Sequence, residues 1–132
     1  MVKNDSLSDF ISRLNVAILT ENNRAIVPLS KWGLDIIYIL YREGIIRRFK
    51  FLKNNRVEVT FGNYSESGEN KFFFKKISSK GNRRYHTYKE LLKYEKENKG
   101  LNFYSTIYGV ILGKTILDMN LNVGGEFLIV IK

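Results

Sequence analysis

The chain has 132 residues, and its 22 lysines and arginines exceed its 13 aspartates and glutamates, which gives a net charge of +9 at neutral pH. It contains no cysteine, which excludes disulfides, thiolate metal sites and a cysteine nucleophile. No apolar run approaches the roughly 18 residues of a membrane span, and the first residues lack the pattern of a signal or transit peptide. We therefore expect neither a membrane partner nor a targeting segment.

The first residues predict a helix followed by a short strand. Ser6 and Asp9 have the spacing of a capping box, so the helix is expected to begin at Ser6. Apolar residues then recur at helical spacing on one face. A strand is predicted over 25–27 and ends at Pro28.

A second helix and a hairpin are expected next. Ser30 is the predicted N-cap of this helix, and Gly44 is the glycine expected just past its end. The apolar positions of the helix include Leu34, Ile37, Tyr38 and Tyr41. Alternating residues predict strands over 45–52 and 56–61, joined by a tight turn at Asn54-Asn55.

The second half of the chain is predicted to be rich in strands. The polar stretch 63–70 is the expected linker, which places the boundary between an N-terminal domain, 1–66, and a C-terminal domain, 67–132. The elements expected beyond it are a strand over 71–77, a turn over 78–82, a returning strand over 83–88, a helical segment over 89–99, a strand over 103–106, a short helix near 112–121 and a strand over 126–131. The predicted fold class is α+β, with an αβ layer unit followed by a mainly β domain.

The sequence gives little support to an enzyme. His86 is the only histidine, and among basic residues in a strand it is expected to be a surface residue. Glu90 is not convincingly placed to orient it as a general base. Neither a cluster with metal-ligand spacing nor a phosphate-binding glycine loop is present, so we predict no metal and no cofactor. An RNA-cleaving enzyme that depends on His86 remains the weakest of three hypotheses.

The distribution of charge favours a nucleic acid as partner. Between residues 71 and 93 there are eight basic side chains and one acidic one. Within this stretch, residues 75–89 alternate cations with Tyr85 and Tyr88 around a glycine turn, which predicts a basic hairpin. Cations attract phosphates regardless of sequence, and exposed aromatic rings can stack on unpaired bases.

A second feature is the stretch 105–109. Ser105 and Thr106 end a predicted strand, and Gly109 is expected to tighten the turn that follows. The two hydroxyls and the nearby N–H groups would then point outward from a flat, rigid loop. Such a loop fits the shallow minor groove of an RNA helix, where 2′-hydroxyls and base edges are displayed.

Several motifs in this order resemble the ribosomal protein S8 family of the small subunit, bacterial type. They are Asp9 to Arg13, Pro28 to Lys31, Glu43 to Ile46, Lys76 to Ser78 with Gly81 to Tyr85, Ser105 to Ile111, and Gly124 to Glu126. The resemblance runs from about Asp5 to Lys132. It implies an αβ N-terminal domain, a mainly β C-terminal domain and no catalysis. It also implies binding to the central domain of the small-subunit ribosomal RNA during assembly.

The resemblance also implies which residues contact RNA. The Ser-Thr loop would contact an irregular RNA helix, and Glu126 would help to hold that loop in shape. The full set of predicted RNA-binding residues is Ser105, Thr106, Ile107, Tyr108, Gly109, Glu126, Arg83, Arg84, Tyr85, Lys80, Lys76, Lys31, Ser30 and Arg13. Ile107 stands where the family has a second serine, so one hydroxyl contact is lost. Tyr108 replaces a polar or basic residue and could stack instead.

The expected partners are small-subunit ribosomal RNA and neighbouring ribosomal proteins, with no small-molecule substrate. The alternative hypothesis is a free-standing regulator that binds messenger RNA or another folded RNA. Two alanines and one proline, beside abundant Asn, Lys, Ile, Phe and Tyr, indicate AT-rich coding DNA. This bias favours a ribosome of the mitochondrion, with a plastid or the bacterial cytoplasm as alternatives.

Overall fold

The computed structural model describes residues 3–19, 23–62, 73–79 and 81–132. The chain divides into two compact units, Met1–Phe73 and Phe74–Lys132. The elements of the first are α1 (Lys3–Leu19), β1 (Arg24–Pro28), α2 (Lys31–Arg42), β2 (Ile46–Leu52) and β3 (Arg56–Phe61). Those of the second are β4 (Phe74–Lys76), β5 (Tyr85–His86), α3 (Tyr88–Glu97), β6 (Leu101–Thr106), β7 (Gly109–Leu112), α4 (Gly113–Asp118) and β8 (Gly125–Ile131). The predicted α+β class is confirmed, while the predicted linker and the boundary after residue 66 lie outside the described residues.

The first unit contains an antiparallel three-stranded sheet in the order β1-β3-β2. Val57 and Val59 of β3 are fully buried, whereas their neighbours in the strand are partly exposed. This alternation gives the sheet one buried face, and α1 contacts β1 while α2 contacts β2. The turn between β2 and β3 is confirmed, since Asn54 and Asn55 both have left-handed φ angles of 62° and 54°.

The two helices of this unit differ from the predictions in particular residues. α1 begins at Lys3, so the expectation that Ser6 starts it is wrong. α2 is capped by Ser30 as predicted, because its Oγ accepts a hydrogen bond from the N–H of Gly33 at 3.0 Å. Tyr38 and Tyr41, which were assigned to the apolar face, are instead exposed. The buried face of α2 is aliphatic and consists of Ile36, Ile37, Ile39 and Leu40.

The second unit contains a five-stranded sheet with the path β4-β8-β6-β7, in which β5 also pairs with β8. β4 pairs with residues 129–131 and β5 with residues 125–126, so both lie along the edge of β8 that β6 does not occupy. The predicted basic hairpin of 71–77 and 83–88 is therefore wrong. The segment is one interrupted edge of the sheet, with a loop between its two short pieces.

Helices α3 and α4 border the core of this unit. Its centre is the buried cluster of Leu91, Tyr104, Ile116, Phe127 and Val130. The rings of Tyr104 and Phe127 are stacked, with centroids 4.9 Å apart. β7 follows the turn after β6 and was not predicted as a strand, and α4 is shorter than the predicted helix near 112–121.

Candidate nucleic-acid interface

Three predicted site residues from distant parts of the sequence lie in one row across the second sheet. Ser105 of β6 is directly paired with Glu126 of β8, and Glu126 is directly paired with Tyr85 of β5. Directly paired residues of antiparallel strands project to the same side of a sheet, and adjacent strands are about 4.8 Å apart. The fold therefore brings the end of the Ser-Thr stretch and the aromatic residue of the basic segment onto a common surface.

Two glycines allow the three strands to approach at this row. A Cβ atom on Gly125 would overlap the carbonyl oxygen of Ser105, and one on Gly124 would overlap the carbonyl oxygen of His86. The Gly-Gly-Glu motif therefore has a steric explanation. The start of β8 lies between two backbones that leave no room for a side chain.

The turn that follows β6 is built around the hydroxyl of Thr106. Thr106 Oγ1 donates a hydrogen bond to the carbonyl oxygen of Gly109 at 2.9 Å and accepts one from the N–H of Tyr108 at 3.0 Å. The prediction that this hydroxyl points outward as a donor is wrong, because its proton is used inside the turn. Gly109 closes the turn with a φ of 95°, a conformation that favours glycine.

The tip of the turn is apolar and aromatic. Ile107 is 83% exposed and Tyr108 is 58% exposed. Ser105 is half-buried, and no hydrogen bond of its hydroxyl is found among the described residues. The surface offered to a partner is therefore the Ser105 hydroxyl next to an exposed isoleucine and an exposed tyrosine ring, which suits stacking and packing better than a row of hydroxyls.

Glu126 holds the loop between β4 and β5 rather than the turn after β6, which corrects its expected role. Its carboxylate is buried and accepts hydrogen bonds from Ser78 Oγ at 2.5 Å and from Arg83 Nη1 at 3.4 Å. Ser78 Oγ in turn accepts the backbone N–H of Arg84 at 3.1 Å. One buried carboxylate thus fixes the backbone from which two arginines extend.

The basic side chains in and beside the loop between β4 and β5 differ in their exposure and in their contacts. Arg83 is tied to Glu126 and its side chain is 45% exposed. Arg84 and Tyr85 are exposed beside it, while Lys76 is half-buried. Lys80 lies outside the described residues. Arg84 and Tyr85 are therefore accessible predicted contacts on this side of the row.

The predicted returning strand over 83–88 ends early because a helix begins there. The Oγ1 of Thr87 accepts the N–H of Glu90, and the Glu90 carboxylate accepts the N–H of Thr87, so the two residues form a complete capping box. Tyr88 is the first residue of α3 and packs partly buried against the core cluster. Of the two tyrosines expected to stack on bases, only Tyr85 is available.

His86 is half-buried in an aromatic cluster, whereas a surface position was expected. Its Nδ1 lies 2.7 Å from the hydroxyl of Tyr104, and its ring centroid lies 5.3, 5.6 and 5.2 Å from those of Tyr94, Tyr104 and Phe127, respectively. Burial lowers the pKa of His86, and the nearby Glu90 carboxylate opposes this effect. Burial also raises the pKa of Tyr104. Packing against these aromatic rings therefore accounts for the position of the His86 side chain.

The remaining predicted residues belong to the first unit. Arg13 donates from Nε to Asp9 at 3.0 Å and from Nη1 to the carbonyl oxygen of Ile26 at 3.4 Å, and its side chain is 54% exposed. The Ser30 hydroxyl is used as the helix cap, which limits it as an RNA contact. Lys31 is the first residue of α2. Arg13 is therefore a candidate contact of this unit with an exposed side chain.

Other kinds of site find no support within the described ranges. Those ranges contain no group of three or more His, Asp or Glu residues that could hold a metal ion. None of the helices in the same ranges has the length and apolar character needed to span a membrane.

Comparisons with known proteins show a family match over most of the chain. The family model described as ribosomal protein S8 matches residues 5–131. The small ribosomal subunit protein uS8c of Cyanidium caldarium is 32% identical over 130 residues, which cover 95% of this chain and 96% of that protein. The small ribosomal subunit protein uS8 of Lactobacillus helveticus is 33% identical over 129 residues, with 96% of each chain covered. That of Citrifermentans bemidjiense is 29% identical over 133 residues, with 97% of each covered.

Proposed function

This chain belongs to the ribosomal protein S8 family, and we propose on that premise that it is a structural protein of the small ribosomal subunit. Its partner is the central domain of the small-subunit ribosomal RNA, and its role is to support the assembly of that domain. The observation that supports this proposal is the row of Ser105, Glu126 and Tyr85, which brings the two segments predicted to contact RNA onto one surface.

The two segments have different tasks. Arg84, with Arg83 beside it, supplies sequence-independent attraction to phosphates, and this term provides most of the affinity. The turn with Ile107 and Tyr108 at its tip supplies shape recognition, because a rigid protrusion enters only a groove or bulge that fits it. The exposed ring of Tyr85 provides a stacking surface between them.

The direct test is binding of the full chain to a transcript of the central domain, with an unrelated folded RNA of the same length as competitor. Gly109→Ala forces a side chain onto a φ of 95° and should distort the turn. We expect it to weaken specific binding at least tenfold and to leave non-specific binding unchanged. The matched control is Gly81→Ala, since a Cβ there meets no described atom within 4 Å. Equal losses on both RNAs, or no specific binding by the parent, would refute the proposal.

We further propose that the ribosome in question is mitochondrial. The support is the AT-rich coding bias indicated by the composition, with only one proline in 132 residues. The relatives described above include bacterial proteins and the uS8c protein of Cyanidium caldarium, so a plastid or a bacterial cytoplasm is the competing location. Fractionation of source cells, with detection of the chain in mitochondrial small subunits, tests this; recovery only with another ribosome population overturns it.

A further inference from the structure

Four aromatic side chains form a cluster on the first unit that the proposed RNA contacts do not use. Tyr38 and Tyr41 of α2 meet Phe49 of β2 edge to face, with centroids 5.5 and 5.4 Å apart, and Phe49 meets Phe51 at 5.8 Å. Three of them remain substantially exposed: Tyr38 at 48%, Tyr41 at 51% and Phe51 at 53%. We call these four residues the aromatic patch. A contiguous exposed aromatic surface is typical of a protein-binding site.

The strand that carries half of this patch lies at an edge of its sheet. The order β1-β3-β2 leaves one side of β2 without a strand partner among the described residues. An edge strand presents N–H and C=O groups at regular spacing, and another extended polypeptide can pair with them. The patch would then lie under one face of the added strand.

The opposite face of β2 is cationic. Arg48 and Lys50 alternate with Phe49 and Phe51 along the strand, and both are exposed. Lys50 is paired across the sheet with Glu58, whose carboxylate is also 4.0 Å from Arg24, so a single acid is shared by several bases. An added strand would meet aromatic rings on one side and an excess of positive charge on the other.

We propose that the free edge of β2 binds an extended segment of a neighbouring protein whose side chains alternate between apolar and acidic. The apolar side chains pack on the aromatic patch, and the acidic ones approach Arg48 and Lys50. Residues on one face of a strand repeat about every 6.7 Å. The apolar side chains of the added strand would therefore have the same spacing as Phe49 and Phe51. An RNA would satisfy the cations but would leave the backbone groups of the edge unpaired. This inference does not depend on the RNA partner proposed above.

Site-specific photo-crosslinking in cells tests the identity of the occupant. A photoreactive phenylalanine analogue replaces Phe51 in one version of the full chain and Tyr108 in a second. We expect the first to crosslink to a protein segment with the alternating pattern and the second to crosslink to ribosomal RNA. Position 51 attached to RNA, to a second copy of this chain or to nothing overturns the inference. Failure of RNA crosslinking at position 108 alone counts against the proposed function instead.

Binding of the identified segment, made as a synthetic peptide, then tests the mode. Phe51→Thr keeps a strand-forming residue and removes a ring, and Tyr41→Gln removes a ring from the helix. We expect each to weaken peptide binding at least tenfold, and the parent chain to show slowed amide exchange over 46–52 when the peptide is bound. The matched control is Tyr108→Gln, which removes an exposed ring from the other unit and should leave peptide affinity unchanged. Unaltered affinity in both patch variants, or protection elsewhere than β2, contradicts the proposed mode.

Discussion

Ser78 is a single buried side chain on which the loop between β4 and β5 depends. Its hydroxyl donates to the Glu126 carboxylate and accepts the N–H of Arg84, and the residue has no exposed surface. Ser78→Ala leaves both partners short of a hydrogen bond inside the protein. We expect it to lower the free energy of unfolding by about 1–3 kcal/mol, the usual cost of unsatisfied buried polar groups. Urea denaturation of the full chain measures this.

The neighbouring residue provides the control for that experiment. Ser79 is half-buried, and its backbone pairs with Asn82 across the loop. Ser79→Ala removes a hydroxyl from the same loop but leaves those backbone bonds intact, so its effect should stay within about 0.5 kcal/mol. If the two variants unfold at the same urea concentration, the Ser78–Glu126 contact does not stabilise the fold as described.

His86 makes the stability of the chain depend on pH in a predictable direction. Burial lowers its pKa in the folded state, so between the folded pKa and the ordinary value of 6.5 the unfolded chain binds more protons. The contribution of His86 is therefore complete above 6.5 and is lost as the pH falls toward the folded pKa. His86→Gln removes the titration and keeps a polar group near Tyr104. We expect the decline in stability from pH 7.5 to 5.5 to be shallower in this variant.

The pKa of a second half-buried group, Glu95, shifts in the direction that opposes the effect of His86, so the pH dependence must be compared between variants. Burial raises the pKa of Glu95, and hydrogen bonding by Asn102 and the charge of Lys114 oppose this only in part. The folded state therefore binds more protons at Glu95, and its contribution decreases as the pH rises from 4.5. The difference between parent and His86→Gln isolates the histidine, because Glu95 is the same in both. Parallel pH profiles would show that His86 does not titrate differently on folding.

The narrow space around the start of β8 is a steric constraint on the second sheet. Gly125→Ala would place a Cβ against the backbone of Ser105 and 3.1 Å from Cγ2 of Thr106. Because backbone must move to relieve this overlap, we expect a loss of about 1–3 kcal/mol in the free energy of unfolding. Gly81→Ala, at an open position in the adjoining loop, is the control and should be close to neutral. Similar denaturation midpoints would mean that β6 and β8 separate at little cost.

Local signals predicted several elements well because they act within a few residues. The Asn54-Asn55 turn and the Ser30 cap each require only neighbouring backbone and side-chain groups, and both are observed. The capping box of Thr87 and Glu90 has an equally local signal that could have located the start of α3. At Ser6 the same kind of pattern was misleading, since α1 begins at Lys3. A capping pattern marks where a helix can begin, while the surrounding contacts decide whether it begins earlier.

The predicted site was harder to derive because its geometry depends on strand pairing over long distances. Basic residues around a glycine suggested a hairpin, but β4 and β5 each pair with β8, which lies about 40 residues or more further along the chain. The partner of Glu126 could not be found from spacing either, since Ser78 is 48 residues away. Likewise, a Ser-Thr pair at a strand end does not reveal whether a hydroxyl faces solvent or closes the turn, as Thr106 does.

The net charge of +9 favours the approach of a polyanion such as the proposed RNA partner. Each phosphate neutralised by a cation releases counterions, so the affinity of the full chain for its transcript should fall steeply with salt. Arg84→Ala removes one exposed cation from the surface that includes Tyr85. We expect it to weaken binding and to reduce the slope of log affinity against log salt by about 1.

The control for this prediction is another exposed cation, in the other unit. Lys53 lies on the turn between β2 and β3, where its carbonyl oxygen accepts a hydrogen bond from Arg56 at 3.3 Å. Lys53→Ala changes the net charge by the same amount as Arg84→Ala but removes no proposed phosphate contact, so the slope should match that of the parent. Equal slopes for both variants would show that net charge alone determines binding. A flat salt titration of the parent would remove phosphate contacts from the mechanism altogether.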